Sequence, residues 1–587
     1  MISKTRFLGL ERRHLLNIGL FLLVALGFLF RLAPLGRYVT PDEPAWVERS
    51  VRFTNALKAR DWASIPSTGH PGVTTMWLGA VGVTVRKWLH PIESAHHLGW
   101  IRRLAWLAPE NGRAFPHLAF FLAPGRVGVA FVNGVGLVAI YCLVKRLFNH
   151  STAFLAVGLL AFDPFVVGLS GLLHTDGLLA TFCMLSVLSL LMALEGNPRS
   201  GTWALVSGAT GGLALLTKSL GAYLAIFTGV VLISAWLSGR IRFSRMVTWL
   251  FLWGLSLVLI YVALYPALWG SPLETVRDLV AAPFRESTTA LMPTFFAGEM
   301  GVQHGPQFYA VALPFRLNPL VLIGLLWGGW VLLKGEPWPQ GLVWLALFSL
   351  GYILLLAPNV KRYQRYLLPA VQPLTVIAAS FLSDGQRARL GSPALRPFFI
   401  ILLQLLLLLP FAAYPLTGLN PLLGGPWTGK RLLSTDWGEG MGAAARWLNQ
   451  RPDARSLTVA ASSVPSFGTV FVGRTVPLEH AAKADYVVRD VPQVPRPRFD
   501  LPVAYTASLR GLSHAVVLTN TAPLRQADYL ADHAAPDDLI LLDADTPLLR
   551  RYEGPGTLLS VASLPDEEAM AHYLKQKLGD GGSVWRV

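Results

Sequence analysis

The residues best suited to chemistry are Thr40-Pro41-Asp42-Glu43-Pro44-Ala45-Trp46, two adjacent carboxylates between prolines just after the first long apolar run, Leu15 to Phe30. Pro44 can open a helix, because its missing N–H is one of the groups a helix start leaves unpaired anyway. Glu43 precedes a proline and is predicted to leave the helical region. Asp42 and Glu43 then stand at a fixed helix entrance, near the positive end of its dipole and at the membrane surface. A carboxylate in that place suits a general base whose substrate keeps its tail in lipid. The same residues also suit a plain helix cap.

Other polar groups stand beside apolar runs, where burying charge is costly and usually marks function or a helix end. Asp176, in Leu-Leu-His-Thr-Asp-Gly, opens such a run and is either an N-cap or a second acidic site residue. Asp163, before Pro164, lies deeper in the preceding run, either packed against the bundle or as a third acidic member. Lys218 joins two runs with almost no loop, either snorkelling to the interface or facing a ligand. Lys361-Arg362-Tyr363-Gln364-Arg365-Tyr366 places three cations ahead of an apolar helix, a pattern for an anionic ligand or for lipid headgroups. His70-Pro71-Gly72 sets an imidazole near the surface, with no second His or Cys at zinc-ligand spacing. Asp543-Ala544-Asp545 follows an apolar strand, as a metal-binding pair or an ordinary acidic turn. The chain shows no Gly-rich phosphate loop and no serine-nucleophile elbow.

The elements that must position these groups are membrane helices. Only 14% of the 587 residues are charged, against about 25% in soluble chains. Mean hydropathy is +0.47, and span-length apolar runs recur from Leu15 to Leu416. The fold class expected is a polytopic α-helical membrane protein with a C-terminal soluble α/β domain. Residues 1–416 form the membrane domain, with outer loops at 31–124 and 269–318, and 417–587 form the soluble domain. Basic residues ahead of Leu15 put the N-terminus in the cytoplasm and mark the first run as an anchor. Trp46, Phe53 and Leu57 recur at helical spacing, as in a helix lying in the interface. If Gly72–Trp88 does not cross, Lys145-Arg146, Arg199, Arg240 to Arg245, Lys334 and Arg387 to Arg396 all fall inside. About eleven crossings follow, with Asp42, Asp176, Lys218 and Lys361 to Arg365 on the outer side of a plasma membrane. The net charge of +16 needs no nucleic acid: the positive-inside rule and an anionic substrate account for it. Cys142 and Cys183 each lie inside an apolar run, as packing residues. After Leu416, Ala444, Trp447 and Leu448 share a helical face. β-rich runs follow at Leu457–Ala461, Tyr486–Val488, Ala515–Leu518 and Leu539–Leu542, then a helix near Glu567–Leu578.

Taken in order, these residues resemble the membrane glycosyltransferases of the GT-C class, specifically the protein O-mannosyltransferase family and its bacterial aminoarabinose-transferase relatives. Pro41-Asp42-Glu43 with Trp46 looks like the family's first-loop acidic motif. Asp61-Trp62, His70-Pro71 and Trp77 follow at similar distances. His174-Thr175-Asp176-Gly177 matches the second acidic site, Thr217-Lys218 a Thr-Lys-Gly turn, and Lys361 to Pro369 a basic-Tyr-Leu-Pro signature. The chain departs from the pattern at Trp46 (commonly Tyr), Gly72 (often Pro) and Ser219 (Gly). The resemblance implies a polyprenyl-phosphate-linked sugar donor, a hydroxyl acceptor and inversion at the anomeric carbon. Asp42 is then the base, with Glu43 and Asp176 orienting hydroxyls. Lys218, Lys361, Arg362 and Arg365 would meet the phosphate, with His70 and Tyr366 beside the substrate. No cofactor is required, although a divalent metal stays open. The alternatives are a metal-dependent oligosaccharyltransferase-like enzyme and a lipid-linked-sugar flippase, whose ionisable residues would sit near mid-membrane.

Overall fold

The computed structural model describes residues 2–66, 70–101, 114–196, 198–289, 294–301, 304–358, 361–383, 395–491, 501–520, 530–536, 538–542, 554–560, 567–577 and 583–586. The turn at 384–394, the proline-rich patch from 492 and the Asp543–Asp545 pair lie outside them. The chain divides into two compact units.

The first unit comprises Met1–Arg37, Asp42–His97 and Phe120–Trp437. Its helices, some shared with the second unit, begin with α1 (Ile2–Leu32), α2 (Glu43–Ala59), α3 (Val73–Leu89), α4 (Pro91–Ile101) and α5 (Phe115–Leu147). Next come α6 (His150–Phe162), α7 (Pro164–Ser170), α8 (Thr175–Leu194), α9 (Ser200–Thr217), α10 (Tyr223–Leu237) and α11 (Phe243–Leu264). Two helices, α12 (Ala267–Gly270) and α13 (Pro272–Thr289), lead to a hairpin of β1 (Thr294–Phe296) and β2 (Glu299–Gly301). Then follow α14 (Gln307–Arg316), α15 (Pro319–Leu333), α16 (Gln340–Leu356), α17 (Leu368–Ser383), α18 (Arg396–Leu408) and α19 (Gly425–Leu432).

Among the described residues, five helical stretches are long and apolar enough to cross a membrane: Phe115–Leu147, Thr175–Leu194, Ser219–Leu237, Phe243–Leu264 and Gln364–Ser383. Counting each bent pair as one span gives seven. The chain is thus a multi-pass membrane protein, and eleven crossings stay a reading of the sequence. The first bend has a local cause. At Asp163-Pro164 the chain turns by 67°. Pro164 cannot donate a backbone hydrogen bond, and the Asp163 carboxylate accepts from the N–H groups of Phe165 and Val166 at 2.9 and 3.0 Å. Asp163 is therefore an N-cap, not a third acid of the site.

The helix α8 is apolar on every side and buries each residue from Thr175 to Ala193 except Leu185, as a helix at the centre of a bundle must. It packs against α9 and α17. By contrast, α11 exposes Phe251, Leu255, Val258, Leu259 and Val262, a face fit for lipid. The α2 stripe does not lie free in an interface: Trp46 and Phe53 are buried, and Phe53 meets Trp77 of α3 edge-on at 5.1 Å. The apolar side of α3 supplies the partner that the interfacial reading assigned to lipid.

The second unit comprises Tyr38–Pro41, Leu98–Ala119 and Gly438–Val587, so its C-terminal part begins beyond residue 417. It holds α20 (Glu439–Asn449), β3 (Thr458–Ala461), α21 (Val464–Gly468), β4 (Arg474–Pro477), β5 (Tyr486–Asp490), β6 (Val503–Leu509), β7 (Leu512–Thr519), β8 (Leu539–Leu542), β9 (Thr557–Ser560), α22 (Glu567–Lys577) and β10 (Val584–Arg586). One sheet runs β4-β3-β5-β7-β6, with β3 parallel to β4 and β5 and with β7 antiparallel to β5 and β6. A second, parallel sheet runs β10-β8-β9. Ala444 and Leu448 of α20 enter the core of the first sheet with Val459, Val488 and Val517, and Trp447 packs at its edge.

Candidate active site

Five side chains of the first unit form one connected polar cluster. Asp42 precedes α2, His174 and Asp176 stand at the start of α8, Lys218 follows α9, and Arg365 precedes α17. His174 Nε2 lies 3.3 Å from Asp42 Oδ2, and its Nδ1 lies 3.2 Å from Asp176 Oδ2. Arg365 closes the ring, with Nη2 donating to Asp42 Oδ2 at 3.3 Å and Nε lying 3.3 Å from Asp176 Oδ2. Lys218 Nζ donates to Asp176 Oδ1 at 2.7 Å. The cluster balances two carboxylates against Lys218, Arg365 and, when protonated, His174, so it carries no excess of negative charge to repel an anion.

Each member is held from behind. His174 stands at the N-cap position of α8, its Nδ1 3.4 Å from the Asp176 backbone nitrogen. Gly177 lets the start of α8 close on α7, since a Cβ there would lie 2.7 Å from Ser170 Cα. Lys218 is in extended backbone and buried, its ammonium 4.0 Å from the Tyr366 ring centroid. Its segment is pinned to the start of α3 by Gly72 N–H donating to the Thr217 carbonyl at 3.1 Å, and by a 2.7 Å bond between the Thr74 and Thr217 hydroxyls. The Arg365 guanidinium stacks between Tyr363 at 4.1 Å and Trp437 at 4.5 Å. Neighbouring Gln364 accepts from Arg316 Nε at 2.6 Å and donates to the Ser434 carbonyl at 2.7 Å.

Asp42 is the open member. Its side chain is 41% exposed, against 17% for Arg365 and 6% or less for His174, Asp176 and Lys218. Both of its contacts fall on Oδ2, and among the described residues nothing bonds Oδ1. It makes no capping hydrogen bond to α2, which removes the plain cap reading. The surrounding protein alone would raise the Asp42 carboxyl, but the hydrogen bond from His174 and the Arg365 charge outweigh it and hold the group well below the usual carboxylate range.

Glu43 differs from its expectation twice. It is the first residue of α2, not extended, and it is fully buried. Arg126 of α5 donates to it twice, Nε to Oε1 at 2.6 Å and Nη2 to Oε2 at 2.5 Å, and the Leu173 N–H adds 3.0 Å to Oε1. That fork outweighs the preference of a residue before proline. Glu43 therefore faces Arg126, not the space beside Asp42, and its part is to hold α2 against α5 and the turn before α8.

The cations separate in the same way. Arg362 donates to the carbonyls of His304 and Ala357 and is engaged with backbone. Lys361 is half-buried and has no hydrogen bond or ion pair among the described residues. His70 lies within the field of Lys218 and Lys361; burial first, then the Lys218 charge, pushes its imidazole down to about 3, so it is neutral at working pH. Tyr366 is buried beneath Lys218. Asp61 caps a short 3-10 turn through the Ser64 N–H and hydroxyl. Three residues that shape the site had no role assigned from sequence: His174, whose motif was visible, Trp437, and Arg126, which reads as one basic residue at a helix start. Among the described residues, no group of three or more His, Cys, Asp and Glu is placed to hold a metal.

Two departures from the family pattern meet in space. Gly72 has φ +62°, and a Cβ there would lie 2.1 Å from the Trp46 ring. The larger indole occupies the room of the missing side chain. Gly72→Ala is expected to destabilise the protein by about 2 kcal/mol or more, from left-handed strain and overpacking. Adding Trp46→Ala relieves the clash but not the strain, so thermal melts of the two variants separate the terms.

The family model described as dolichyl-phosphate-mannose-protein mannosyltransferase matches residues 121–265, about a quarter of the chain, including Asp176 and Lys218. No curated protein matches the sequence. Among solved structures, ArnT from Cupriavidus metallidurans bound to undecaprenyl phosphate is similar at 15% identity and TM-score 0.45, covering 85% of this chain and 97% of its own. The Archaeoglobus fulgidus oligosaccharyltransferase in its apo form is similar at 13% identity and TM-score 0.40, covering 81% of this chain and 69% of its own. The arabinofuranosyltransferase AftD from Mycobacteria is similar at 13% identity and TM-score 0.36, covering 92% of this chain and 43% of its own. The chain resembles the GT-C membrane glycosyltransferases, with the protein O-mannosyltransferase and aminoarabinose-transferase likeness that its motifs carry.

Proposed function

We propose that this protein is an inverting membrane glycosyltransferase that moves a sugar from a polyprenyl-phosphate donor to a hydroxyl acceptor at the outer face of the plasma membrane. The observation that carries the reading is the Asp42 carboxylate, one oxygen tied by His174 and Arg365 and the other unbonded among the described residues, beside a cluster that balances its charge. The family match over Asp176 and Lys218 and the ordered motifs support the lipid-phosphate donor.

In this reading the acceptor oxygen attacks the anomeric carbon as its proton passes to Asp42 Oδ1. The bond from that carbon to the phosphate oxygen breaks on the opposite face, and the phosphate keeps the electron pair. A phosphate is already a weak base, so it needs cations rather than a proton donor. Of the four cations, Lys361 is the one with no hydrogen bond or ion pair among the described residues, and His70 adds a neutral imidazole near it. Lys218 and Arg365 act mainly by holding Asp176 and Asp42, and they lend their charge to the same field. Glu43 holds the scaffold, and no metal is needed in this reading.

The test is consumption of a mixed pool of radiolabelled polyprenyl-phosphate sugars by the protein in membranes with a mixed acceptor extract. Consumption of one donor names it, and consumption of none counts against the reading. Lys361→Gln is expected to raise the donor KM roughly 10- to 100-fold with kcat changed less, because a charged phosphate contact exists before and during reaction. Arg362→Gln should lower the melting temperature while leaving donor KM near wild type.

A further inference from the structure

His174 touches both carboxylates of the site and cannot be explained by helix capping alone. Its Nδ1 lies 3.2 Å from the Asp176 carboxylate at the start of α8, whereas its Nε2 reaches across to Asp42 on the segment before α2. The imidazole is buried, and its ring is set edge-on to Trp437 at 5.1 Å and to Trp46 at 6.2 Å. Two indoles thus fix its plane along the line between the carboxylates.

We propose that His174 is the positioning residue of the site: a cationic imidazole clamped between Asp42 and Asp176 that ties up Asp42 Oδ2 and leaves Oδ1 as the one oxygen for the acceptor. The proposal deepens the glycosyltransferase reading and rests on it for the role of Oδ1.

The charges facing the ring agree with a cation there. Asp42 faces it from the segment before α2, and Asp176 from α8. Arg365, from the turn before α17, pairs with both carboxylates, Lys218 after α9 pairs with Asp176, and His70 before α3 adds a neutral ring. Burial opposes the charged imidazole, but Asp176 and Asp42 together raise it above its ordinary value. A neutral ring could donate to only one carboxylate and would turn a lone pair towards the other.

A group whose folded value is raised contributes stability that is fully present below its unfolded value, about 6.5, and is lost as pH rises through the folded value. His174→Asn removes the clamp and leaves a side chain that can itself cap α8. Asparagine is a preferred N-cap but is too short to reach Asp42. The experiment compares wild type with His174→Asn in detergent, by thermal melts from pH 5 to 9 and by donor consumption in membranes. The expected result is a melting-temperature gap that is widest below about pH 6.5 and fades at higher pH, with kcat reduced about a hundredfold and donor KM little changed. A gap constant with pH overturns the proposal whether or not any donor turns over. A fading gap with wild-type kcat overturns the positioning role. If wild type consumes no donor, the glycosyltransferase reading fails by itself, and the melts still decide whether the clamp exists.

Discussion

Asp42→Asn is expected to lower turnover of the polyprenyl-phosphate sugar by about a hundredfold or more, the size of a lost general base, with donor KM near wild type. Asparagine keeps the shape and can still accept from Arg365 or His174 at one oxygen, so the cluster should persist. What it loses is an oxygen able to take a proton from a hydroxyl. A carboxylate held below its ordinary range is a weak base at rest, but it is ionised at every working pH. The acceptor proton becomes acidic as its oxygen bonds to the anomeric carbon, so transfer late in the step suffices. The pH profile carries the same sign. The active form is the deprotonated one and its pKa is lowered, so the wild-type rate should persist on the acid side through about pH 4, where an ordinary carboxylate would fail. Measured initial rates at saturating donor check both statements. Equal turnover by Asp42→Asn and wild type would remove Asp42 from the chemistry.

What the sequence revealed and what it hid follow from the physics of each signal. Charges beside apolar runs are conspicuous because lipid makes them costly, so Asp42, Asp176, Lys218 and Arg365 could be picked out although they lie up to 323 positions apart. Their convergence was legible only as a shared side of the membrane. Sequence could not sort the cations, because Arg362 and Lys361 are adjacent and differ in what stands opposite: backbone carbonyls for Arg362, and no hydrogen bond or ion pair among the described residues for Lys361. It misjudged Glu43 by weighing one local rule, the residue before proline, against no knowledge of Arg126, 83 positions away. Strands β3, β5, β7 and β8 were legible as short apolar runs, whereas β4 and β6 were not. β4 holds only four residues, and β6 packs little beyond Ala507 into the core.

The Glu43–Arg126 pair carries the other large expectation. Both side chains are buried, at 0% and 2% exposure, with two hydrogen bonds between them. Arg126→Leu takes the bidentate cation away from a fully buried carboxylate, and the usual cost of breaking such a pair is about 3–5 kcal/mol. Glu43→Gln keeps the shape but removes the negative charge beside the buried guanidinium, and should cost nearly as much. The double variant Glu43→Gln/Arg126→Leu removes both charges. If the pair serves packing alone, the double variant should regain much of the lost stability, because each single change includes the price of one unpaired charge. Turnover separates this role from chemistry. Glu43 is covalently joined to Asp42, and its Oε1 also fixes Leu173 beside His174, so it sets the spacing between the base and the residue that ties it. Stability should therefore recover in the double variant while kcat does not, since the charged fork that fixes Glu43, and with it the neighbouring Asp42, against α5 and the start of α8 is gone. Thermal melts and donor consumption on the three variants decide it. Full recovery of kcat would make the pair a packing device only, and Asp42 would then be placed by His174 and Arg365 alone.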